Sequence, residues 1–141
     1  WQVQGFYTAQ SGQALGFGDA ILYGSPSDVA LSKSERTVNR WFNTSVFERN
    51  SGRQLSYHLR NLSMRFSGIR GDGYNSVNLA ALKNTTIIER VQLQLRAEFL
   101  NAFNQVDFAN PDTSPTSSAF GAVTSQKGFA RRIQFQAKIL F

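Results

Sequence analysis

His58 is the only histidine of the chain, and the sequence contains no cysteine. A protein zinc site needs three or four converging nitrogen, sulfur or carboxylate donors, so His58 flanked by Tyr57 and Leu59 offers no ligand set. The carboxylates are no better placed for acid–base work. Glu98 is isolated on its stretch, and Asp107 and Asp112 sit in "NQVDFANPDTSPT", where turn formation accounts for them. Nucleophilic catalysis lacks its base. The glycine clusters "GFG" (16–18) and "GIRGDG" (68–73) lack the strand–loop–helix context of a phosphate cradle. "RGD" at 70–72 has the composition of an adhesive motif, but a tight turn at Gly71–Asp72–Gly73 explains it more simply. The chemistry left to the chain is that of surfaces. We expect no enzyme, no metal and no cofactor.

Cations are what the sequence does concentrate. The net charge is +6, and residues 33–70 hold eight basic side chains (Lys33, Arg36, Arg40, Arg49, Arg53, Arg60, Arg65, Arg70) against Glu35 and Glu48. The remainder has seven of each sign and is neutral. Trp41, Phe42, Phe47, Tyr57 and Phe66 interleave with the cations. Three uses fit. The segment packs on itself, with aromatics inside and arginines bonding carbonyls. Alternatively Arg36, Arg40, Trp41 and Arg70 meet lipopolysaccharide phosphates or an anionic ligand through bidentate contacts. The third use is a nucleic-acid surface. Packing ranks first and nucleic acid last, so no nucleic-acid partner is expected.

The elements that must position these residues show up as period-2 alternation. Strands are expected at about 1–10, 75–86, 91–103 and 129–141. In "VQLQLRAEF", Val91, Leu93, Leu95, Ala97 and Phe99 alternate with Gln92, Gln94, Arg96 and Glu98. In "RIQFQAKILF", Ile133, Phe135, Ala137, Ile139 and Phe141 take the odd positions. "NTTIIER" reads as a tight turn, whereas residues 104–128 are rich in Pro, Ser, Asn and Gly, and 11–73 is far longer than an ordinary connection. Within it, "SERTVNRWF" is expected as a short helix capped by Ser34, and the run before 71–73 as extended. The first residue is Trp1, so the chain reads as a mature segment or a fragment.

Alternating strands suit a soluble antiparallel sheet with one wet face. They also suit the wall of a transmembrane barrel, whose strands run about 9–11 residues and whose turns are short on one side and long on the other. Strand length, loop asymmetry and aromatics near strand ends favour the barrel. On that reading Gln92, Gln94, Arg96 and Glu98 face the lumen, with Arg96 and Glu98 ion-paired. They line a transport path, grip a plug, or bond across the wall to neighbouring strands. In hydrocarbon every backbone group must be paired, so the last strand has to zip onto the first, and Phe135, Ile139 and Phe141 mark that seam. The rival is a soluble β-rich carbohydrate- or ligand-binding domain using Trp41 and Tyr57 as stacking platforms.

The pieces "YTAQSGQALGFG" (7–18), "RTVNRWFNTSVF" (36–47), "RFSGIRGDGYNSVNLAALKN" (65–84), "ERVQLQLRAEFLNAFNQVDFANPDT" (89–113) and "SSAFGAVTSQKGFARRIQFQAKILF" (117–141) carry a resemblance. They resemble the C-terminal barrel strands of TonB-dependent outer-membrane transporters. The likeness is to the Oar-like group, which bears a carboxypeptidase-regulatory-like domain. Departures are Gln136 where such chains often have Gly, Asn78 for Asp, and Gln105 for His. The resemblance implies an all-β, antiparallel transmembrane segment of a plugged barrel of about 22 strands. It implies extracellular loops at 11–73 and 104–128, and a periplasmic turn at "TTIIER". Its implied partners are outer-membrane lipid and lipopolysaccharide, the remaining strands and plug, and the TonB complex. Its implied location is the bacterial outer membrane.

Overall fold

The computed structural model describes residues 1–55, 57–59 and 62–141. The chain forms β1 (Gln2–Gln10), β2 (Ala14–Leu15), β3 (Phe66–Arg70), β4 (Tyr74–Ile88), β5 (Val91–Leu100), β6 (Asp107–Phe108), β7 (Gln126–Lys127) and β8 (Arg132–Leu140). It divides into two compact units: residues 1–10, 74–107 and 128–141, and residues 11–73 and 108–127.

The first unit is an antiparallel four-stranded sheet in the order β1-β4-β5-β8. Its strands are those expected from the alternation, with shifted ends. β4 continues to Ile88, because Thr85, Thr86, Ile87 and Ile88 are β-branched and favour the pleat. Only Glu89 and Arg90 then remain for the turn into β5. β5 stops at Leu100 rather than 103, where Asn101 turns to φ 50° and Asn104 to φ 53°. Asn101 holds that corner. Its carboxamide accepts from the Gln105 N–H at 2.8 Å and donates to the Gln105 and Phe129 carbonyls at 2.9 Å. β8 begins at Arg132 rather than 129; Phe129 instead lies under the Arg132 guanidinium, 3.9 Å from ring centre.

Register decides the faces. The ladders pair Val3 with Ala81, Ala81 with Ala97, and Ala97 with Phe135, so odd positions meet odd positions across the sheet until a bulge between Thr86 and Ile88 sets Ile88 opposite Val91 beside the turn. One face therefore carries Val3, Tyr7, Val77, Leu79, Leu93, Leu95, Phe99, Ile133, Phe135 and Ile139. The other carries Gln2, Gln4, Ser76, Asn78, Gln92, Gln94, Arg96, Glu98, Gln134 and Gln136. A shift of one residue in any ladder would mix the faces. The apolar face is uncovered: Val3 is 75% exposed, Phe135 81% and Ile139 58%.

The second unit has a core of its own. Leu15, Phe17, Ala20, Leu22, Val29, Phe42, Phe47, Leu62, Ile69 and Phe120 are buried together. Phe17 and Phe42 meet edge-to-face at 4.9 Å, and Phe120 stands edge-on to both Phe42 and Phe47 at 5.2 Å. Phe120 comes from the second long connection and the rest from the first. The two long connections thus form one folded body. Backbone bonds reinforce the join: Trp41 N–H donates to the Gly121 carbonyl at 2.8 Å, and Val123 N–H to Val38 at 2.7 Å.

The expected helix at "SERTVNRWF" does not form. Thr37 and Arg40 exchange two backbone hydrogen bonds, 3.0 and 3.1 Å, around Val38 and Asn39. Ser32, not Ser34, organises the approach, its hydroxyl donating to the Glu35 carboxylate at 2.6 Å. The Trp41 N–H and Val38 carbonyl are committed to Gly121 and Val123 in the tight turn, and these contacts outweigh a weak local helix preference. Residues 71–73 also depart from expectation, carrying neither a turn nor a bend.

Candidate functional site

Two surfaces hold the residues singled out by sequence: the polar sheet face and the basic flank of the two-loop unit. On the sheet, Gln92, Gln94, Arg96 and Glu98 project from one side of β5. Cross-strand neighbours set their surroundings: Leu82 and Gln136 beside Arg96, Ala80 and Gln134 beside Glu98, Asn84 and Lys138 beside Gln94. Arg96 and Glu98 form an ion pair at 2.5 Å, each side chain about one-third exposed. Gln94 donates its amide to Asn84 at 3.1 Å. The Arg96 Nε is covered and has no partner among the described residues. Leaving such a covered donor unmet costs free energy.

Towards the loop end, the same face dips into a hollow of about 320 Å³ lined by Tyr74, Ser76, Asn78, Asp107 and Arg132. Ser76 and Asp107 are buried there. Asp107 is positioned by the Asn75 N–H at 3.3 Å, and Asn78 by accepting from the Asn101 N–H at 2.9 Å. The hollow thus presents hydroxyl, carboxamide, carboxylate and guanidinium groups. Sequence reading assigned Asp107 to turn-making and passed over Ser76; neither signalled its burial.

In the two-loop unit Arg36, Arg49 and Arg70 bond carbonyls. Arg36 Nε donates to Leu31 at 3.1 Å, and Arg49 donates to Pro115 and Ser117 at 3.4 and 3.3 Å. Arg70 donates to the Gly12 carbonyl at 2.9 Å and its own carbonyl receives the Trp41 indole N–H at 2.8 Å. Trp41 and Arg70 are therefore brought together, while Arg36 is held apart on Leu31. Arg40 keeps an exposed guanidinium near Glu35. Arg60 lies outside the described residues.

The Arg-Gly-Asp tripeptide is a structural strut. Asp72 accepts from the Phe108 N–H at 2.9 Å, and its carbonyl takes the Lys127 ammonium at 2.7 Å. A Cβ on Gly12 would lie 1.8 Å from the Gly71 carbonyl oxygen, so the two backbones touch as only glycine permits. His58 is held by carbonyls, its ring nitrogens 3.0 and 3.1 Å from Leu59 and Asp19 oxygens. Tyr57 is fully exposed.

Carboxylates hold this unit's acid limit. Glu48 is buried and accepts the Tyr23 hydroxyl at 2.6 Å and the Asn50 N–H at 2.7 Å. The tyrosine bond, then the backbone one, keeps the Glu48 carboxyl below its ordinary value of 4.5. The same bond pushes the Tyr23 phenol above 10.0. The Ser32 hydroxyl lowers Glu35, and the Ser117 hydroxyl lowers Asp112. A lowered carboxyl stabilises the fold fully above its unfolded value and progressively less as pH falls through the folded one. A raised phenol acts oppositely, contributing below about pH 10 and losing its effect as pH rises beyond it. Proteolysis of loops 11–73 and 108–127 should therefore accelerate below about pH 4, the range where such carboxylates protonate. Glu48→Gln should shrink that acid step. An unchanged pH profile in the variant would assign the step elsewhere.

Comparison with known proteins agrees with this geometry. No curated protein and no solved structure matches the chain. A family model described as an outer membrane beta barrel domain matches residues 1–134. Membership sets aside the soluble carbohydrate-binding alternative. With its spanning-length antiparallel strands and opposed apolar and polar faces, the chain belongs to the outer membrane beta barrel domain family and resides in the bacterial outer membrane.

Proposed function

We propose that the chain is the wall and mouth of a TonB-dependent outer-membrane importer of the Oar-like kind, a transport role with no catalysis of its own. One observation carries the reading: apart from a bulge beside the short turn, the ladders pair odd with odd, so four strands keep an apolar and a polar face, with a short turn at one end and long connections at the other. In a transmembrane barrel the apolar face meets lipid, short turns are periplasmic and long loops extracellular. Gln92, Gln94, Arg96 and Glu98 then face the lumen or the plug. The hollow with Asp107 and Arg132 offers the first polar foothold inside the mouth. Arg40 and its neighbours meet lipopolysaccharide phosphate outside, and Phe135, Ile139 and Phe141 belong to the closing strand. The quoted motifs, "RAEFLNAFN" and the terminal strand above all, support the TonB-dependent form.

The test uses the full-length protein in a planar bilayer and in a pull-down with the periplasmic domain of TonB. A plugged importer should show no open-channel conductance until urea loosens the plug, and should be retained by TonB. Steady ohmic conductance of the native protein, with no retention by TonB, would point to an open porin.

A further inference from the structure

One cation sits on the apolar face of the sheet. Lys83 pairs across the ladder with Leu95, which pairs with Ala137, so its side chain emerges among lipid-facing positions. Its ammonium lies 5.1 Å from the Trp1 ring centre, and it forms no ion pair among the described residues. A charge in the middle of a lipid-facing surface is strongly disfavoured, but the penalty fades near the interface, where tryptophan is also enriched. Lys83 stands on the turn side of mid-sheet, one row nearer the Glu89–Arg90 turn than Ala81, Ala97 and Phe135. Thr85, Leu93 and Ile139, and beyond them Ile87 and Val91, lie between it and the Glu89–Arg90 turn, a span the long lysine stem shortens. Lysine can extend its stem along the wall and place its head among headgroups.

Directly above, the wall is hollowed. Ala81, Ala97 and Ala137 form the floor of a groove of about 390 Å³, with Trp1 and Phe135 as its sides and Lys83 at its lip. Three small side chains on neighbouring strands are what opens it. A groove of this kind is apolar along its length and cationic at one end. That is the pattern of a phospholipid: acyl chain in the groove, phosphate at the ammonium.

We propose that this face holds one anionic phospholipid of the periplasmic leaflet, its phosphate on Lys83 and an acyl chain over Ala81, Ala97 and Ala137. The ammonium keeps three N–H donors, and the indole face leaves room for them to reach phosphate oxygens. The site rests on the proposed orientation, with the short turn periplasmic, and not on whether the barrel imports anything.

The test is native mass spectrometry of the full-length protein extracted in mild detergent, scoring only the heat-modifiable, folded barrel. The probes are phosphatidylglycerol and phosphatidylcholine with identical acyl chains. Wild type should retain phosphatidylglycerol about fivefold over phosphatidylcholine, the preference one basic side chain supplies at a lipid surface. Lys83→Gln should remove the preference and Lys83→Arg should keep it. Ala97→Phe, filling the groove, should lower retention of both lipids. No preference in wild type, or the same preference in Lys83→Gln, would overturn the site. So would displacement of the bound phosphatidylglycerol by lipopolysaccharide, which would make a lipid A phosphate the occupant.

Discussion

Phe135→Lys should abolish assembly of the full protein into the outer membrane. Phe135 stands on the apolar face of β8, level with Ala97, Ala81 and Val3, and 81% of it is uncovered. That level lies well inside the spanning part of the sheet. A lysine facing lipid near the midplane costs about 2–4 kcal/mol, against a folding stability that is itself only a small difference between large terms. The aromatic's own burial in acyl chains is lost as well. The adjacent Gln134→Lys serves as control, since it lies on the polar face beside Glu98. The measurement is the fraction of barrel showing heat-modifiable mobility in outer-membrane preparations. It should fall to near zero for Phe135→Lys and stay close to wild type for Gln134→Lys. Equal assembly of both would mean that the faces are assigned the wrong way round, or that β8 does not meet lipid.

Phe42→Ala should melt the two-loop unit while leaving the barrel standing. Phe42 is fully buried, edge-on to Phe17 at 4.9 Å and to Phe120 at 5.2 Å. Removing a buried phenyl ring typically costs about 3–5 kcal/mol, transfer term and cavity together. The unit has a small core, and Phe42 is shared by rings from both long connections, so no nearby side chain can refill the space. Intact cells displaying the variant should lose protease resistance in loops 11–73 and 108–127, by more than tenfold in cleavage rate at the free-energy cost just given. The sheet strands should remain protected by the membrane. If loop cleavage were unchanged, the aromatic cluster would not be what holds these loops together.

Much of the sheet was legible because its signal is local. Alternation needs nothing beyond neighbouring residues, and "VQLQLRAEF" and "RIQFQAKILF" announce both face and strand. The pairing of Arg96 with Glu98 was equally readable, since positions two apart on a strand share a face. Strand ends were harder. Ile87 and Ile88 extend β4, with Ile88 paired to Val91 of β5, and Asn101 ends β5 through bonds to residues 105 and 129.

The second unit shows where local reading fails. Self-packing with arginines on carbonyls ranked first for its basic segment, ahead of a ligand surface. Choosing between them for each residue required knowing which carbonyls lie within reach: Gly12 for Arg70, Leu31 for Arg36, Pro115 for Arg49. Phe120 follows a stretch rich in Ser, Pro and Thr and gives no hint that it completes a core begun a hundred residues earlier at Phe17. The Ser34 helix was lost to the same cause: the Val38 carbonyl and Trp41 N–H are taken by distant Val123 and Gly121.

By itself, then, the sequence determined that this protein has two-faced strands suited to a membrane wall, because a side-chain period of two is written into consecutive residues. Tertiary structure alone decided that both long loops fold as one unit, that Asp107 and Ser76 are buried in a polar hollow, and that Lys83 stands at the lip of an alanine-floored groove. Those outcomes depend on register and on contacts between residues far apart in the chain, and neither is encoded in any short stretch of it.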